Sequence, residues 1–82
     1  MNKRKLLQKV LNNQTNVRFS EAQALVEAFG FTLRRVSGSH HIYGRAGIQE
    51  QINLQEVSGQ AKAYQIRQVL KLIERYNLEL QE

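Results

Sequence analysis

Residues 34–45 read RRVSGSHHIYGR, and the layout of this stretch decides the fold. Two β-rich runs, 31–36 (FTLRRV) and 40–45 (HHIYGR), flank the break Ser37-Gly38-Ser39. That is the pattern of a β-hairpin. Moving outward, the two glycines of GRAG offer a second turn, and IQEQINLQEV at 48–57 supplies a third strand with Ile52 and Leu54 on one face. Upstream, SEAQALVEAFG at 20–30 is helical. Ser20 and Gln23 have capping-box spacing, Glu21 favours the first turn, and Ala22, Leu25, Val26 and Phe29 form an apolar stripe ending at Gly30.

Two further helices complete the pattern. Lys3–Leu11 sets Leu6, Leu7, Val10 and Leu11 between lysines. After SGQAK, the residues Ile66, Val69, Leu70 and Ile73 repeat at helical spacing, and Tyr76 extends the stripe. The expected fold is α+β: a three-stranded antiparallel sheet with helices on one face and an extra N-terminal helix.

Strand alternation then sorts side chains by face. Placing Ile42 toward the helices with Phe31, Leu33, Ile52 and Leu54 puts His40 on their side. His41 and Tyr43 then join Thr32, Arg34, Gln51 and Asn53 on the open face. One imidazole, one phenol, one guanidinium and two amides suit a phosphate and a sugar. A bland account competes with this one: a solvated histidine is often a bystander, Tyr43 suits cross-strand packing, and Gly38 suits a turn.

Composition narrows the function classes. Eighty-two residues make one small domain, and without cysteine neither a disulfide framework nor a thiolate metal site is available. Two histidines and scattered carboxylates suggest no metal site, and no cofactor is expected. No apolar run is long enough to span a bilayer, and the basic start MNKRKLLQKVLNN lacks the apolar core of a signal peptide. A cytoplasmic protein without a membrane partner is the expectation. The net charge is +5, with eight Lys and Arg against two Glu in residues 1–45. A basic half on a small domain is the footprint of a nucleic-acid binder.

FGFTLRRVSGSHHIY, a helix ending in glycine that leads through two strands carrying GSHH, resembles the signature of the HicA (YcfA-like) toxin family. INLQEVSGQAKAYQIRQVLKLI is similar to that family's third strand and closing helix, so the resemblance spans roughly residues 20–76. It implies a double-stranded-RNA-binding-domain-like α-β-β-β-α fold over 18–82, with 1–17 as an N-terminal helical extension. It also implies metal-independent cleavage of messenger RNA, restrained by a HicB-like antitoxin. The family's functional histidine falls on His41. The expected roles are His41 as general base on a ribose 2'-hydroxyl, Arg34 on the phosphorane, Tyr43 against a base, and Arg35, Ser39, His40 and Arg45 as further RNA contacts. Many family members carry a proline and another histidine after the third strand, where this chain has NLQEVSG. Two alternatives stay open: a non-catalytic RNA-binding module of the same fold, and a protein whose basic face docks an acidic partner.

Overall fold

The computed structural model describes residues 2–81. In chain order the elements are α1 (Lys3–Asn12), α2 (Phe19–Ala28), β1 (Thr32–Ser37), β2 (His40–Arg45), β3 (Ile48–Val57), β4 (Gln60–Ala61) and α3 (Ala63–Arg75). The architecture is α+β, with one antiparallel sheet in the order β1-β2-β3-β4. The expected three strands are therefore four.

The extra strand comes from turn chemistry hidden in SGQAK. Ser58 and Gly59 both take positive φ, +52° and +79°, as a two-residue primed hairpin turn requires. They fold Gln60–Ala61 back onto Glu56–Val57. The new strand is held from its other side by the segment leading into α2, where Ala61 N–H donates to Val17 C=O (3.0 Å) and Phe19 N–H to Gly59 C=O (2.9 Å). The β1–β2 turn is of the expected kind, with Gly38 at φ +60° in the first of its two central positions.

Helix ends follow local chemistry. Asn2 Oδ1 accepts Lys5 N–H at 2.8 Å and caps α1. The N-cap of α2 is Arg18, two residues before the expected Ser20, and Glu21 in place of Gln23 reaches back to accept the cap's N–H at 3.0 Å. Its other end is a Schellman motif, with Gly30 N–H on Glu27 C=O and Phe31 N–H on Val26 C=O. α3 ends the same way through Asn77 (φ +50°) and Leu78. The chain after α3 returns to α2 through Gln81 N–H on Ala28 C=O at 2.8 Å.

All three helices share one apolar cluster with the sheet. Leu6 and Val10 of α1 pack with Leu25 and Val26 of α2, Ile66 and Val69 of α3, and Tyr43, Ile52 and Leu54 of the strands. The expected 1–17 extension thus contributes directly to the core. Leu11, expected on the α1 stripe, stays exposed.

The faces of β2 are the reverse of the expectation, while Ile52 and Leu54 of β3 are buried as expected. Tyr43 is 0% exposed and stands opposite Ile52, while His41 stands opposite Leu54. Residues directly opposite share a face, so His41 and Tyr43 belong to the helix side, and His40 and Ile42 to the uncovered side. The cause is the β2–β3 register, which sets His41 and Tyr43 against Leu54 and Ile52, and β1 keeps Leu33 on the side of Tyr43 only through a β-bulge. Ser37 pairs with His40 and Arg35 with Ile42, but Leu33 pairs with Tyr43, leaving Arg34 as the extra residue. One inserted residue inverts which strand neighbours share a face. Leu33, expected to be core, is 46% exposed on the edge strand.

Candidate functional site

The uncovered face centres on His40. Ser37 lies directly opposite it on β1 and Gln55 directly opposite on β3. Arg35 and Asn53 both pair with Ile42 and so occupy the diagonal positions, with Cα atoms roughly 7–8 Å away. Asn53 makes contact: its Oδ1 lies 3.1 Å from His40 Nδ1. An amide oxygen can only accept, so in the neutral ring this bond selects the Nδ1–H tautomer and leaves the Nε2 lone pair available. Nε2 has no protein partner among the described residues. A base oriented by a neighbour and open to solvent is the arrangement proton abstraction needs.

Arg34, displaced by the bulge, lies against Gly44. A Cβ on Gly44 would approach Arg34 Nε to 3.3 Å, so the missing side chain is what lets the arginine lie flat there. Gly44 shares the open face with His40 but is four residues along, roughly 13 Å. The Arg34 guanidinium therefore lies well away from the His40 ring. Arg35, on the diagonal, is the cation within reach.

The other expected site residues fall elsewhere. His41 packs its ring edge-on to Phe19, with centroids 4.8 Å apart and 64° between planes, and its Nδ1 is 3.4 Å from Ser39 C=O. It is half-buried at the margin of the core. Tyr43 is part of the core itself. Burial pushes its phenol pKa above the ordinary value against the opposing pull of the Gln23 side chain, which lies near the hydroxyl but outside hydrogen-bonding geometry. Arg45 donates from Nη1 to Phe29 C=O at 3.0 Å, serving the end of α2. Ser39 is exposed in the turn, where its carbonyl accepts Glu56 N–H at 3.1 Å.

Of the seven expected residues, His40, Arg35 and Arg34 share the open face. Ser37 and Gln55 escape the sequence reading, which places Asn53 on the open face as one of two amides suited to a phosphate and a sugar but not beside a histidine. The turn Ala46-Gly47 could have found them. Arg45 pairs with Ile48 across it, and counting back from a two-residue turn puts odd β2 positions opposite even β3 positions, hence Tyr43 with the Ile52 and Leu54 side.

Among the described residues no cluster of three or more His, Cys, Asp or Glu is placed to hold a metal ion. No helix among them is long and apolar enough to cross a membrane. No family model, curated protein or solved structure matches the chain.

Proposed function

We propose that this chain is a metal-independent endoribonuclease acting as the toxin of a toxin–antitoxin pair, in line with the HicA-like stretch at 30–43. We further propose that its catalytic histidine is His40. The observation that carries the reading is the His40–Asn53 pair on the uncovered sheet face, flanked by Arg35, Ser37 and Gln55. In this mechanism His40 Nε2 removes the proton from a ribose 2'-hydroxyl. The 2'-oxygen attacks the adjacent phosphorus, the P–O5' bond breaks, and the products are a 2',3'-cyclic phosphate and a 5'-hydroxyl. Arg35 stabilises charge on the equatorial oxygens through charge-assisted hydrogen bonds. Arg34 holds a phosphate further along the strand, and the amide side chains of Asn53 and Gln55 offer donors to sugar or base. Water protonates the departing 5'-oxygen, since His40 is the one imidazole on this face. The fold is double-stranded-RNA-binding-domain-like in this reading, the protein acts in the cytoplasm, and a HicB-like antitoxin silences it by covering the open face.

A second reading, RNA binding without chemistry, draws on the lack of a second acid/base group beside His40. One experiment separates the two. His40→Ala should lower production of cyclic-phosphate ends by about a hundred- to ten-thousand-fold, and abolish growth arrest, with melting nearly unchanged. His41→Ala should keep most cleavage but lose the contact with Phe19, at a cost of about 1 kcal/mol. Full cleavage by His40→Ala, with loss of cleavage by well-folded His41→Ala, returns the catalytic role to His41. RNA binding without cyclic-phosphate ends in the wild type selects the second reading.

A further inference from the structure

The sheet's two outer edges are built differently. β1 carries the Arg34 bulge and the cations Arg34 and Arg35, features that discourage another strand from pairing. β3 has no lysine, arginine or proline between Ile48 and Val57. Yet β4 pairs with it only at Glu56 and Val57.

Glu56 N–H points toward β2, donating to Ser39 C=O at 3.1 Å. In an antiparallel ladder the backbone groups alternate sides, so Gln55 and Asn53 present theirs to the outer edge. Gln55 N–H is already taken there by Oε1 of the buried Gln65, at 2.7 Å. Asn53 N–H has no such partner among the described residues.

Alongside this edge runs a groove of about 260 Å³ between β3 and α3, with Ile52, Val69 and Leu72 in its lining and Lys71 on its α3 wall. Glu50, at one end, accepts hydrogen bonds from Tyr76 and from Arg75 (2.9 Å), and the Tyr76 bond, ahead of the Arg75 contact, holds its carboxyl below the usual range. Lys71 makes no ion pair among the described residues. The groove therefore combines an apolar lining, a free backbone donor and acceptor, and an uncompensated positive charge.

We infer that the outer edge of β3 receives an added strand from a partner protein. This would be an extended segment that hydrogen-bonds at Asn53, sets an apolar side chain into the groove, and places a carboxylate against Lys71. A second copy of this chain fits less well. A two-fold register centred on Asn53 sets Glu50 opposite Glu56 of the other copy, and like charges directly opposite destabilise a pair. The register centred on Gln51 runs through the β-bulge between Ile48 and Ile52. The inference requires no catalysis, so it stands or falls apart from the ribonuclease reading.

The test is selection of displayed random ten-residue peptides on the full chain carrying His40→Ala, followed by hydrogen exchange with synthetic copies of the winners. The expected result is peptides that alternate apolar residues and carry Asp or Glu. Binding should slow exchange of the Asn53 amide at least tenfold, and Lys71→Glu should weaken binding at least tenfold. Several outcomes overturn the inference: no enrichment, protection confined to β1 or to the His40 face, indifference to Lys71→Glu, or peptide-free self-association that protects Asn53 as concentration rises. None of these outcomes would change the yield of cyclic-phosphate ends from the wild type, which tests the other reading.

Discussion

At the scale of single residues, adjacent positions on one strand meet opposite fates. His40 faces out and is oriented by Asn53, whereas His41 faces in and packs on Phe19. Tyr43, two residues on from His41, is fully buried with an unpartnered hydroxyl. A buried polar group without a partner costs about 1–3 kcal/mol, so Tyr43→Phe should stabilise the protein by about 1 kcal/mol. In a domain of this size that raises the melting temperature by about 4–8 °C. Calorimetry checks it, and a lower melting temperature would mean the hydroxyl is bonded in solution. The site was partly legible at this scale. GSHH marked the hairpin that carries both histidines, but which of them faces out was not legible there, because the register against β3 sets His41 opposite Leu54 and His40 opposite Gln55.

At the scale of elements, the entry to α2 couples stability to pH. Glu21 accepts Arg18 N–H at the start of the helix and forms an ion pair with Lys9 of α1. Its carboxyl is held below the usual range, with the Lys9 hydrogen bond as the main cause. A depressed folded pKa contributes stability above the unfolded value of about 4.3, and that contribution disappears as pH falls through the folded pKa. Glu21→Ala should therefore cost about 1 kcal/mol at pH 7. Denaturant curves of the variant and the wild type should converge below about pH 4. A gap that persists into acid would assign the loss to packing instead. Helix existence was legible here from apolar spacing and the Gly30 stop. The start of α2 and the strand β4 were not, because both depend on contacts between Val17–Phe19 and Gly59–Ala61, which lie about forty residues apart in the chain.

At the scale of the whole molecule, α1 and the segment after it contribute Leu6, Val10 and Val17 to the core. Leu6 and Val10 are buried in the same cluster as Leu25 and Ile66, so Leu6→Ala should cost about 2–4 kcal/mol. A domain of this size holds only about 5–10 kcal/mol in all. A chain beginning at residue 18 should accordingly fail to give a cooperative melt. A sharp melt from that fragment would make α1 an accessory. The charge distribution gives a second expectation at this scale. If the open face binds single-stranded RNA, log affinity should fall linearly with log salt, and Arg35→Ala should reduce the slope by about 0.7, one phosphate contact. Titration of labelled RNA against the His40→Ala background measures it, and an unchanged slope removes Arg35 from the interface.

Periodicity by itself determined the α+β class, the three helices and the first hairpin, because burial of an apolar stripe at spacing 3.6 or 2 needs no knowledge of distant contacts. It also determined that β3 buries Ile52 and Leu54. Only the tertiary structure decided which face of β2 joins them. Ile42 and Tyr43 are both apolar enough to be core, so alternation within β2 leaves two solutions. The choice is made by register against β3, where Tyr43 meets Ile52 and His41 meets Leu54, and β1 accommodates it through the extra residue at Arg34. Facing Tyr43 inward buries the largest side chain of the strand in the core shared with the helices. That same half-turn of the strand carries His40 out to the open face, beside Asn53.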